Sequence, residues 1–252
     1  MLVVLLITAC NSQDANRNSV SNQNANSNSQ AQFPPLPGLK PAGPVDPNFS
    51  ACNTYFPLVP GSSTKYRLSF STGIVADITT VFSSEEENGR KVFVASQQTI
   101  DTKGGSEKSE ANTRKYICDG EKVKLIFERN DNRVAGHRTE SEVKYDDKSF
   151  VMLEPTALSS GKKWSYDFYV IFNTGDGTRT STDPVTKHIE VMSIEDVKVA
   201  AGTFTALKLE IKIGGTELVE YYARGIGLIK RTVIKDGTTT ELQEYSGLKP
   251  LR

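Results

Sequence analysis

From residue 51 onward the chain is a succession of short segments in which apolar and polar side chains alternate. The clearest spans 207–213, with Leu207, Leu209, Ile211 and Ile213 on one face and Lys208, Glu210 and Lys212 on the other. Successive side chains of a strand point to opposite faces, so this pattern predicts a strand with one buried and one wet face. Trp164, Tyr166, Phe168, Val170 and Phe172 share a face in the same way, and Val123, Leu125 and Phe127 alternate with Lys122, Lys124 and Ile126. Between such runs stand Asn88-Gly89, Asp119-Gly120, Asp176-Gly177 and Asp236-Gly237. These dipeptides readily adopt the positive φ of tight hairpin turns. No long stripe of period 3.6 with caps competes with them. The expected fold class is all-β, an antiparallel curved sheet or open half-barrel.

The pattern also repeats. Gly61, Tyr66 and Phe70 can be laid over Gly161, Tyr166 and Phe168, each series running on to a glycine-containing turn, at Gly73 and Gly175. Further on, Lys115-Tyr116 before Gly120 matches Glu220-Tyr221 before Gly225. Two related β units are expected, 55–150 and 155–247, side by side or merged into one sheet.

Ahead of this lies a different kind of sequence. Residues 11–31 are mostly Asn, Ser, Gln and Ala, too poor in apolar surface to offset the entropy of ordering, and a disordered tether is expected there. Pro34, Pro35, Pro37, Pro41, Pro44 and Pro47 then favour the extended, stiffer geometry of a spacer. At the start, the run from Leu2 to Ile7 is far shorter than the roughly 20 apolar residues a membrane span needs. With Thr8, Ala9 and Cys10 it reads as a signal peptide and cleavage site. The block Ile7-Thr8-Ala9-Cys10 resembles the lipobox of bacterial lipoproteins. The resemblance implies cleavage before Cys10, a diacylglycerol on its thiol and usually a further acyl chain such as palmitate on its amine. Several chains give stable anchoring where one gives only marginal binding. Asn11, where enterobacterial lipoproteins retained in the inner membrane favour Asp, implies the outer membrane. The division is thus 1–9 signal peptide, 10–50 acylated tether and 51–252 β domain.

The second half, over about 155–235, resembles bacterial secreted and lipoprotein β domains of no assigned reaction. The resemblance rests on the small-Gly-x-Phe strand Ala201-Gly202-Thr203-Phe204 and on the glycine-rich strand pair 221–230. It implies an open, half-barrel-like sheet and no particular chemistry.

Composition narrows function by exclusion. Lys+Arg 30 against Asp+Glu 30 leaves no field to attract nucleic acid, so no nucleic-acid partner is expected. Apart from Cys10 the cysteines are Cys52 and Cys118, in a compartment that permits disulfides; a bridge and two buried thiols are both compatible with the sequence. His137 and His188 lack neighbours at ligand spacing, and no nucleophile elbow, zinc-binding helix, Cys-x-x-Cys pair or phosphate loop occurs. Gly225-Ile226-Gly227 reads as a strand bend rather than a dinucleotide loop. The acidic runs 85–87 and 146–147 read as solvated hairpin tips. No cofactor, metal or catalytic residue is expected.

One candidate site is apolar. The face bearing Trp164, Tyr166, Phe168, Leu207, Leu209 and Ile211 must be covered, either by side chains of the other half or by a hydrophobic ligand. The expected function is that of a non-enzymatic cell-envelope lipoprotein, a binding or scaffold module whose partner is an envelope protein, glycan or lipid. The rival reading is an envelope hydrolase working through carboxylates, with Glu154 and Asp183 beside the Trp164 strand as its acids.

Overall fold

The computed structural model describes residues 45–246 apart from 47, 71–72, 74, 102–108, 135–136 and 174–177. The lipobox, Cys10 and the tether to residue 44 lie outside the described residues. The strands are β1 Ser63–Ser69, β2 Val75–Glu87, β3 Arg90–Asp101, β4 Ser109–Asp119, β5 Lys122–Val134, β6 His137–Tyr145, β7 Phe150–Met152, β8 Lys163–Asn173, β9 Arg179–Ser181, β10 Val185–Val199, β11 Gly202–Ile213, β12 Thr216–Ala223, β13 Gly227–Val233 and β14 Thr239–Ser246. The one helical turn among the described residues is the 3-10 turn Pro155–Ala157.

Sequence neighbours pair antiparallel along hairpins, and two further pairings close the sheet. β14 pairs with β1 from Ser63 opposite Ser246 to Ser69 opposite Thr239, and β10 pairs with β8 from Val185 opposite Phe168 to Glu190 opposite Lys163. Twelve strands therefore form a closed barrel, with β7 and β9 as short additions on β5 and β8. The expected open half-barrel is corrected to a closed one. The pairing of β14 with β1 joins the two ends of the domain, which strand-by-strand alternation does not reveal.

Each half contributes six barrel strands, β1–β6 from the first and β8 with β10–β14 from the second. The corners that start them are alike. Gly61 (φ 83°) donates its N–H to the Phe82 carbonyl and Gly161 (φ 82°) to the Val191 carbonyl, both at 2.8 Å. The return bonds run from Phe82 N–H to Ser62 at 3.0 Å and from Val191 N–H to Lys162 at 2.9 Å. A bulge interrupts the β4–β5 pairing at Tyr116 and the β12–β13 pairing at Tyr222, and both tyrosines are buried. Tyr116 thus corresponds to Tyr222, one residue beyond the match with Tyr221 that the sequence offers.

Asn88 and Gly89 turn β2 into β3 with φ of 52° and 71°, and Gly120 and Gly237 occupy positive-φ turn positions between β4 and β5 and between β13 and β14. Apolar side chains point in: Leu207, Leu209 and Ile211 are at most 1 % exposed. Charged pairs cover the outer face, as in Lys212 with Glu217 (3.0 Å) and Lys65 with Glu244 (2.9 Å). This is the reverse of a membrane-spanning barrel, whose outer band is apolar.

The segment ahead of β1 lies across one barrel end and makes a floor. Asn53, 1 % exposed, donates through Nδ2 to the carbonyls of Glu121 (2.7 Å) and Leu153 (2.8 Å), while its Oδ1 accepts from the N–H groups of Tyr55 and Phe56. The Phe56 ring packs between Tyr116 and Tyr222. Cys52 is disulfide-bonded to Cys118, and Phe49 already packs edge-on against Phe93, so the packed domain begins two residues before position 51. Gly227 (φ 94°) lies against Pro57, where the floor crosses the bend at 225–227. Beside the floor the β10–β11 tip folds over, with Ala201 N–H donating to the Leu242 carbonyl at 3.2 Å. The opposite end is a mouth, bordered among the described residues by the turns at 214–215 and 234–238.

Candidate functional site: a charged cavity inside the barrel

Above the floor the barrel is not filled. A cavity of about 240 Å³ remains, walled toward the mouth by Leu68, Phe70, Ile78, Ile213, Leu218 and Val233. The deeper wall is unusual for a barrel core, because it carries two buried ion pairs and a lone lysine.

The first pair joins adjacent strands β4 and β5. Arg114 Nη2 lies 3.4 Å from Glu128 Oε1, which also accepts from Asn112 Nδ2 at 2.8 Å, while Tyr145 O–H donates to Oε2 at 2.6 Å. Glu128 faces inward because of the bulge at Tyr116, where Tyr116 opposes Leu125 and Lys115 opposes Phe127. The bulge shifts the phase of β5, turning Phe127 away and the carboxylate in. Burial alone would raise the Glu128 pKa; the Arg114 guanidinium and the hydrogen bonds overcome it and hold the carboxyl far below the usual carboxylate range.

The second pair is its counterpart with charges exchanged. Glu220 on β12 accepts from Arg231 Nε on β13 at 2.6 Å and from Tyr222 O–H at 2.7 Å. It is 2 % exposed; burial pushes its pKa up, and Arg231 with Lys187 and these hydrogen bonds brings it below the ordinary value. Arg114 and Arg231 keep 24 % and 28 % of their side-chain surface although strands surround them, because that surface faces the cavity.

Lys187 on β10 completes the set. Its Nζ sits 5.8 Å from the centre of the Tyr166 ring, and it forms no ion pair among the described residues. Burial lowers its pKa, Glu220 opposes this, and Arg231 and Arg114 add to the lowering. Tyr166, between the two pairs, is pushed well up, first by burial and then by Glu220 and Glu128. Tyr66, also on the cavity wall, is raised to about 12 by burial and donates to the Leu228 carbonyl. Three cations thus face two carboxylates in the lining. Glu110, one inward position nearer the mouth than Asn112, is pushed toward its protonated form by burial.

The apolar face expected from the sequence divides. Tyr166, Phe168, Leu209 and Ile211 line the cavity. Leu207 is wholly within the packed core, and Trp164 spends its indole N–H on the Phe150 carbonyl at 2.8 Å, bridging β8 to β7. Lys187 and the two ion pairs went unseen in the sequence. Glu220 and Lys187 do fall on inward positions of their strands, a period-2 signal of buried charge, whereas Glu128 needs the bulge.

The other candidates disperse. Glu154, at the floor end near Lys122 (3.8 Å), and Asp183, exposed just before the mouth-side start of β10, sit toward opposite ends of the barrel and form no carboxylate pair. His188 is exposed on the outer face opposite Lys212 and Ser165, and the His137 side chain lies outside the described residues. Glu85 and Glu87 both pair with Lys115, and Asp146 caps its own turn through Ser149 Oγ and the Lys148 N–H. Among the described residues no three His, Cys, Asp or Glu side chains cluster as metal ligands would.

Fold and cavity define a class, the closed antiparallel barrel with a charged, ligand-sized interior. Comparison with solved structures bears on the fold alone. An exported protein from Bacteroides fragilis, described as having a YmcC-like fold, superposes with a TM-score of 0.51 at 12 % identity, over 77 % of this chain and 100 % of that one. A protein from Parabacteroides distasonis, described as a lipoprotein, gives 0.47 at 13 % identity, over 78 % of this chain and 100 % of that one. No protein-family model matches the chain, and no curated protein matches it in sequence.

Proposed function

We propose that this chain is a non-enzymatic lipoprotein of the bacterial cell envelope, anchored through acyl groups on Cys10, whose barrel binds a small hydrophobic or amphipathic molecule in its interior. The observation that carries the reading is the cavity of about 240 Å³, floored by a stapled segment and flanked on its mouth side by apolar side chains. Barrel width grows with strand number, and since about eight strands already leave room for side chains or one small ligand, twelve leave interior space for a bound molecule. The lipobox resemblance supports the anchor and Asn11 the outer membrane; the 11–31 tether would hold the barrel off the bilayer. A carboxylate hydrolase built on Glu154 and Asp183 loses its basis, since the two acids do not converge.

The test is native mass spectrometry of the Cys10→Ser chain taken from periplasm without detergent, with organic extraction of the same sample. A bound mass that extraction releases supports the reading. A bare chain mass that stays bare after incubation with an envelope lipid extract sinks it, and directs attention to envelope proteins and glycans as partners of the outer surface.

A further inference from the structure

Resting on that reading, we infer that the ligand is a single-chain amphiphile with one anionic headgroup, carboxylate or phosphate, inserted head first so that the anion meets Lys187. The two ion pairs leave no such vacancy, because each carboxylate already accepts from a guanidinium and from a tyrosine hydroxyl. Lys187, half-buried with its side chain on the cavity wall, has no carboxylate of its own among the described residues, and an ammonium drawn out of bulk water without a counter-charge is costly. A singly charged anion beside it balances three cations against three negative charges and accepts charge-assisted hydrogen bonds from the ammonium. The apolar part would then run along Leu68, Phe70, Ile78, Ile213, Leu218 and Val233 toward the mouth. Size sets the rest: about 240 Å³ falls short of the roughly 300–1,000 Å³ of pockets that take drug-sized ligands, which excludes a two-chain phospholipid and fits one short chain.

The experiment titrates the detergent-free Cys10→Ser chain with decanoate, decyl phosphate, decanol and decyltrimethylammonium by calorimetry at pH 7, alongside acetate and inorganic phosphate. Decanoate or decyl phosphate should bind at least tenfold tighter than decanol, with the cation weakest; whichever anion leads identifies the headgroup. Lys187→Met should abolish the preference while keeping decanol affinity, and Lys187→Arg should retain it. The melting temperature of ligand-free Lys187→Met should equal or exceed that of the unsubstituted chain, which separates loss of the anion site from loss of fold. Equal affinity for decanoate and decanol, or an unchanged preference in Lys187→Met, overturns the inference and leaves hydrophobic binding standing. Acetate or inorganic phosphate binding as tightly as decanoate overturns the amphiphile in favour of a bare anion site. No binding of any decyl compound overturns both this inference and the proposed function.

Discussion

Glu128 shows how one side chain can be buried and charged at once. It is 6 % exposed, yet Arg114, Tyr145 and Asn112 supply a counter-charge and hydrogen bonds to both oxygens. Removing one partner of such a pair typically costs about 3–5 kcal/mol, whereas replacing both with apolar groups is often close to neutral. Arg114→Met should therefore destabilise the chain by about 3 kcal/mol, and Arg114→Met with Glu128→Leu should recover at least half of that, read from urea unfolding midpoints. A double variant no more stable than the single would show that the pair is held for other reasons. The same carboxylates set the acid limb of stability. Glu128 and Glu220 both have folded pKa values below the ordinary one, so the folded state binds fewer protons than the unfolded chain. Their contribution is fully present above the unfolded Glu value of about 4.3 and is lost as pH falls from there toward their folded values. Urea midpoints should fall steeply below about pH 4, and more shallowly in Glu128→Gln.

At the scale of elements, the floor is what turns a tube into a cup. Its hold on the barrel is concentrated at Asn53, whose amide makes four hydrogen bonds to three separate stretches of backbone. Asn53→Ala would strand the buried groups it serves, each worth about 1 kcal/mol or more, and should cost about 3 kcal/mol in chemical denaturation. The disulfide adds a second tie across 66 residues of sequence, worth about 4 kcal/mol in the chain-entropy account. Cys52→Ser with Cys118→Ser should lower stability by up to that amount and speed exchange of the amides of Tyr55 and Phe56. Unchanged protection there would mean that Asn53 alone fixes the floor. These elements were unequally legible. The alternation at 207–213 and the turn at Asn88-Gly89 were plain, because strand period and turn chemistry are local. The phase shift that aims Glu128 inward was not, because a bulge belongs to a pair of strands and the apolar alternation of Val123, Leu125 and Phe127 runs straight past it. Asn53 was invisible for a related reason, since its acceptors at Glu121 and Leu153 are brought to it only by the finished barrel.

For the whole molecule, the two halves of the chain complete one closed sheet. Each half brings six strands, a glycine corner, a bulged tyrosine and one ion pair, yet neither half has an inside without the other. The seams are long: β14 meets β1 over the whole of β1, and β6 meets β8 over six residue pairs from Glu140 with Asn173 to Tyr145 with Phe168. Separating the halves would expose four strand edges and put both ion pairs on an open surface, where a pair of this kind is worth little. The barrel should therefore unfold as one unit although each half carries its own corner, bulge and ion pair. Trp164 is the single tryptophan, and it sits on β8 beside the seam, so its fluorescence reports on the second half while far-UV circular dichroism reports on all strands. The two signals should give coincident urea transitions in the Cys10→Ser chain, and a Phe93→Trp reporter in the first half should follow the same curve. If the halves were independent units, the dichroism would lose part of its amplitude at a urea concentration where Trp164 still reads native. That outcome would dissolve the argument that one shared cavity holds the two halves, and their ion pairs, together.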